Sequence, residues 1–166
     1  MKKDVLISIR SCPRYDGDEA PETIELMTAG KFYRKNGIYY IIYQESELTG
    51  LEGVTTTLKA DPNRVVLIRN GVFASQMIFE CGEKHVGLYQ VPGAGSMTMS
   101  VSAQRIDNAL TDDGGSLKVE YSVEINNTLA GENIFVVLKV QFEKRRGIKS
   151  IGTSAGAGAA MEAILD

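Results

Sequence analysis

Several kinds of residue pattern are scarce in this chain, and each scarcity removes a class of function. Its 166 residues hold one histidine, His85, and two cysteines, Cys12 and Cys81. The cysteines are widely separated and form no C-x-x-C pair, so reduced thiols are expected and neither a disulfide nor a metal site is indicated. The opening Met1-Lys-Lys-Asp-Val-Leu-Ile-Ser contains an apolar run of only three residues. That is too short for a signal peptide, and no later run approaches a membrane span. A cytoplasmic protein with no membrane partner is the expectation. Basic residues are not in excess, at 18 Lys and Arg against 21 Asp and Glu. The phosphate-neutralising surface of a nucleic-acid binder is therefore not expected either.

Enzyme motifs are equally thin. Gly152-Thr-Ser154-Ala-Gly156 matches G-x-S-x-G, but a hydrolase of that type needs a histidine later in the chain, and His85 comes earlier. Pro92-Gly-Ala-Gly95 lacks the strand-to-helix setting that aims backbone amides at a phosphate. Glu45 and His85 are the only conventional acid–base candidates. The expectation is a protein without catalytic residues, cofactor or metal.

What the chain does contain is strands. Lys31-Phe-Tyr-Arg-Lys-Asn36-Gly37-Ile-Tyr-Tyr-Ile-Ile-Tyr-Gln-Glu45 places two runs of aromatic and β-branched residues around Asn-Gly, a two-residue hairpin signal. Asn70-Gly71 repeats the signal between residues 65–69 and 72–79. Val5, Ile7 and Ile9 alternate with polar residues in a first strand. A long second strand runs from about residue 22 to 35, with a bulge expected at Gly30. Strands are also expected at 54–59, 64–69, 72–80, 85–91 and 96–106. In the clearest alternation, Leu117, Val119, Tyr121, Val123 and Ile125 face inward, and a last strand carries Ile134 to Phe142. Short connections and an even strand count, which lets the first and last strands pair antiparallel, favour closure. The fold expected is all-β: an antiparallel up-and-down meander of about 8–10 strands closed into a barrel. One domain spans residues 1–143. Residues 144–166 form a basic, then Gly/Ala-rich tail, disordered in part or forming a short helix.

Hairpin register brings particular polar residues together. With the Asn36-Gly37 end taken as the bottom, Glu45 lies beside Val54 and Thr55 lies opposite Arg69. Tyr89 returns to the same, upper rim. Tyr43, Glu45, Thr55, Thr56, Arg69 and Tyr89 are the candidate ligand-binding cluster, whereas His85 and Lys59 fall towards the bottom. On the functional reading Arg69 pairs an anionic ligand and Tyr89 closes over it. On the structural reading an Arg69–Glu45 salt bridge plugs the barrel end. Either way Arg69 enters a partly desolvated rim, and its removal is expected to destabilise the domain more than removal of Lys59.

The succession Tyr40-Ile-Ile-Tyr43-Gln-Glu45, Gly50-Leu-Glu-Gly53, Thr56-Thr-Leu-Lys59, Arg69-Asn-Gly71, Met77-Ile-Phe79 and Tyr89-Gln-Val-Pro-Gly-Ala-Gly95 resembles the YwiB-like family. These are small bacterial proteins of unknown function grouped with calycin-like (lipocalin-like) β-barrels. The likeness covers roughly residues 3–143 and implies a calycin-like barrel, but no activity. Tyr43, Arg69 and Tyr89 fall on recurrent positions of the family. Residues 91–95 depart from its Thr-Pro-aromatic-Gly type of loop. The function expected is a barrel that binds a small, partly apolar or anionic ligand at its mouth. The alternative is an interaction module with a filled barrel, forming a homodimer or binding a partner through the outer face of strand 38–43. That strand is apolar on both faces, so its outer side should be covered by something.

Overall fold

The computed structural model describes residues 2–12, 23–45, 52–72, 74–91, 95–126 and 128–142, without the side chains of residues 24, 89–91 and 128–138. The tail from 143 onward, the loop 13–22 and most of the connection 46–53 lie outside the described residues, as does the G-x-S-x-G match. Ten strands follow in order: β1 (Lys3–Cys12), β2 (Ile24–Lys35), β3 (Ile38–Gln44), β4 (Val54–Ala60), β5 (Arg64–Gly71), β6 (Ser75–Glu80), β7 (Lys84–Val91), β8 (Gly95–Thr111), β9 (Gly114–Ile125) and β10 (Thr128–Phe142). All belong to one antiparallel sheet ordered β6-β5-β4-β3-β2-β1-β10-β9-β8-β7.

Alternation in the sequence becomes inside and outside in the barrel. Val5, Ile7 and Ile9 of β1, Ile41 and Tyr43 of β3, Val65 and Leu67 of β5, and Leu117 to Val123 at every second residue of β9 are buried in one core. Asn36 and Gly37 both take positive φ, 54° and 80°, the two left-handed residues that a tight hairpin turn of matching twist requires. Gly30 is not a bulge: its pairing with Val5 is in register. Instead, a Cβ there would sit 2.5 Å from both the Ile42 carbonyl oxygen and Ile7 Cδ1, so the missing side chain is space that neighbours use.

Asn70-Gly71 differs from the expectation. These residues complete β5, paired with Thr55 and Val54, and the turn follows them. A Cβ on Gly71 would collide with the Gly53 carbonyl, and its φ of 135° is closed to other residues. The same Asn-Gly pair thus serves backbone approach here and chain reversal at 36–37, because what lies across the strand differs.

The first and last strands pair as parity predicts, Val5 with Phe142 through Cys12 with Phe135. Closure is nearly, but not fully, achieved. The sheet's two ends are β6 and β7, consecutive in the chain, and the bridges near their connection are Glu80–Glu83 and Cys81–Ala103. Among the described residues no ladder joins β6 to β7 above that turn, which leaves a seam in the wall. On the outside of β3, Tyr40 stacks on Tyr33 at 4.7 Å between ring centroids. Lys59 lies over the first ring at 5.7 Å and Lys2 over the second at 5.4 Å. Tyr40 and Ile42 are both half-buried, and for Tyr40 part of the cover comes from these side chains of the barrel itself.

Candidate functional site

Four consecutive strands place one polar residue each at the same level of the inner wall. Tyr43 of β3 faces Thr56 of β4, Thr56 faces Arg69 of β5, and Arg69 faces Ser75 of β6. Cross-strand partners share a face, so all four side chains follow their apolar neighbours Ile41, Leu58, Leu67 and Met77 into the interior. Thr56 and Arg69 are completely buried and Tyr43 is 3% exposed. Glu45, two residues beyond Tyr43, is also buried. The row lies near the end of the barrel opposite Asn36-Gly37.

Within the row, Thr56 donates its hydroxyl hydrogen to Glu45 Oε1 at 2.6 Å. Burial pushes the Tyr43 phenol well above the ordinary tyrosine range, and the Glu45 carboxylate adds to that push. The Arg69 charge acts against it, so both charges are felt at the same phenol. The Arg69 guanidinium is the group left unsatisfied. Its Nε, Nη1 and Nη2 have no hydrogen-bond partner among the described residues. Ser75 and Ser11, the latter on β1 towards the same end, carry buried hydroxyls in the same condition. Buried polar groups in folded proteins nearly always have partners, and a charged one without them is costly.

The structure therefore sorts the residues that register reasoning selected. Tyr43, Glu45, Thr56 and Arg69 come together. Thr55 does not: it pairs with Asn70 and faces the outside, one residue out of the expected register with Arg69. Tyr89 pairs with Met97 towards the upper end of β7, but its side chain lies outside the described residues. The direct Arg69–Glu45 salt bridge is not formed, since no hydrogen bond from a described residue reaches the guanidinium, and Arg69 sits inside the barrel rather than at a half-wet rim. Ser75 is not among the expected residues because a two-residue turn at Asn70-Gly71 puts Val72, not Ser75, opposite Arg69. His85 is at the bottom, 2.9 Å from Glu80, far along the barrel from Glu45.

An antiparallel, nearly closed ten-stranded barrel with buried charged and hydroxyl groups gathered towards one end of its core defines the class of protein. The chain belongs to the family described as a domain of unknown function, DUF1934, whose profile matches residues 7–136. It is 24% identical over 127 residues to the uncharacterized beta-barrel protein YwiB of Bacillus subtilis (strain 168), covering 76% of this chain and 87% of that one. The crystal structure of ywiB protein from Bacillus subtilis superposes with a TM-score of 0.70 at 19% identity, over 86% of this chain and 94% of that chain. At that identity the likeness speaks for the fold. Among the described residues, no helix is long and apolar enough to cross a membrane.

Proposed function

We propose that this barrel is a binding protein for a small ligand whose anionic group, a carboxylate or phosphate, is held inside the upper end by Arg69. One observation carries the reading: a completely buried guanidinium whose three nitrogens have no hydrogen-bond partner among the described residues. A guanidinium cannot shed its proton, so it cannot escape the cost of burial by becoming neutral. An oxyanion would accept its parallel N–H groups, and Ser75 Oγ beside it supplies a further donor. Glu45 supplies the opposite charge, held by Thr56, and favours ligands that also carry a donor. Binding is favoured over catalysis because His85 is engaged with Glu80 at the other end, so that among the described residues no acid–base pair converges on the guanidinium. The outer face of β3 supports self-association less, because Tyr33, Lys2 and Lys59 already occupy part of it.

The test is a thermal-shift and native mass-spectrometry screen of small carboxylates and phosphate monoesters, run on protein unfolded, dialysed and refolded to strip carried-over molecules. A ligand at 100 times its Kd should stabilise by about 2.7 kcal/mol, and the shift should vanish in Arg69→Met. Stabilisation that survives Arg69→Met would remove the guanidinium from the site.

A further inference from the structure

We infer that the seam between β6 and β7 seats the apolar part of this ligand, which makes the occupant a small amphiphile: one anionic head on a short alkyl chain. The inference rests on the reading of Arg69 given above and adds the place and chemistry of the remainder of the ligand. Its independent observation is a groove of about 250 Å³ where the barrel wall fails to close. Gln76, Met77, Gly87, Leu88 and Met99 line it, so it reaches from the surface to the thioethers of the lumen. Methionine side chains adapt to irregular apolar shapes. At the mouth, Val86 and Leu88 are 64% and 72% exposed, an apolar pair on an edge strand that a soluble protein rarely leaves open without use.

The groove and the charge lie one step apart along β6. Ser75, which begins β6 and faces Arg69, is two residues from Met77, or roughly 7 Å along a strand. A chain lying against Met77 and Met99 therefore delivers its head group to Ser75 Oγ and the guanidinium. The groove falls below the ~300–1,000 Å³ typical of drug-sized pockets, so the chain is short. An extended peptide does not fit: a Cβ on Gly87 would already be 3.5 Å from the Gln76 carbonyl oxygen, whereas an inserted strand needs ~4.8 Å on each side.

Octanoate is the probe, with acetate and octanol as head-only and tail-only controls. Protein labelled on its methionine methyl groups is titrated and followed by NMR, in the parent, Gly87→Phe, Leu88→Ser and Arg69→Met. Gly87 has an ordinary φ, so a side chain there fills the groove without backbone strain. Leu88→Ser changes an exposed position and preserves folding should Gly87→Phe not. Octanoate is expected to shift the Met77 and Met99 signals and leave Met27, on β2, unmoved. Gly87→Phe should weaken it by at least about tenfold, the equivalent of some two methylenes denied apolar contact. Leu88→Ser should weaken it by a smaller factor, and acetate and octanol should each bind more weakly than octanoate. If octanoate binds with Arg69 dependence but Met77 and Met99 stay unmoved and Gly87→Phe and Leu88→Ser bind normally, the seam is wrong and the Arg69 site stands. If Met77 and Met99 shift equally in Arg69→Met, the anionic head is wrong. If octanoate does not bind at all, the amphiphile is overturned, while short anions in the earlier screen still decide Arg69 separately.

Discussion

Exchanging the two buried charges, Arg69→Met and Glu45→Gln, singly and together, puts the electrostatics of the barrel's upper end to a direct test. Glu45→Gln takes an opposite charge from the surroundings of a guanidinium that is fully buried and cannot deprotonate, and its cost has as its upper bound the about 3–5 kcal/mol of breaking a directly paired buried ion pair. Arg69→Met instead deletes a charge that has no hydrogen-bond partner among the described residues and substitutes an apolar side chain of similar length. Burial of that methionine contributes about 1.5–3 kcal/mol. The carboxylate left behind keeps its hydrogen bond from Thr56 and can take up a proton, an escape the guanidinium lacks. Arg69→Met is therefore expected within about 1 kcal/mol of the parent, or above it, and the double variant at least as stable as the parent. The cycle should be non-additive by roughly 3 kcal/mol. Urea titration followed by circular dichroism on refolded, dialysed protein measures this, comparing midpoints where m is unchanged. Register alone suggests instead a large loss from Arg69→Met, larger than that from Lys59→Met, because a directly paired Arg69 would leave a stranded carboxylate. A 3–5 kcal/mol loss from Arg69→Met with a neutral Glu45→Gln would refute the reasoning. Small additive losses from both would place the guanidinium in solvent.

Other outcomes follow from single positions. The raised Tyr43 pKa means that the folded protein keeps the phenol protonated where the unfolded chain ionises it. Its contribution is complete below pH ~10 and is lost above it, by up to about 1.4 kcal/mol per pH unit; Tyr43→Phe should flatten that part of the stability–pH curve. Gly71→Ala should cost clearly more than Gly37→Ala in thermal melts, because only at Gly71 does a Cβ strike backbone. Gly37→Ala meets nothing within 4 Å and carries the left-handed penalty of ~1–2 kcal/mol alone. Lys59→Met should cost under about 1 kcal/mol in the same urea titration, since the half-buried ammonium loses its place over the Tyr40 ring and gains an apolar contact. A larger loss would mean that the aromatic stack depends on that charge.

Local pattern determined much of this protein. Alternation along Leu117 to Ile125 fixed which side chains face the core, because a pleated strand has only two faces. Asn36-Gly37 fixed one reversal, and counting residues away from it placed Tyr43, Glu45, Thr56 and Arg69 at one end. An even number of hairpin-linked strands fixed the pairing of first with last. Contacts between strands decided the rest. A one-residue difference in register separated Thr56, inside, from Thr55, outside, and only the paired backbones settle that. Asn70-Gly71 is locally the same signal as Asn36-Gly37, but the approach of Gly53 keeps it in the strand. The depth of Arg69 depends on how tightly β3 to β6 curl around it, and its lack of a hydrogen-bond partner among the described residues depends on the reach of Glu45 and Ser75. The seam is the most tertiary feature of all. Residues 72–80 and 85–91 read as an ordinary hairpin, and the strands observed there part because the sheet that begins at one of them and ends at the other does not quite come full circle.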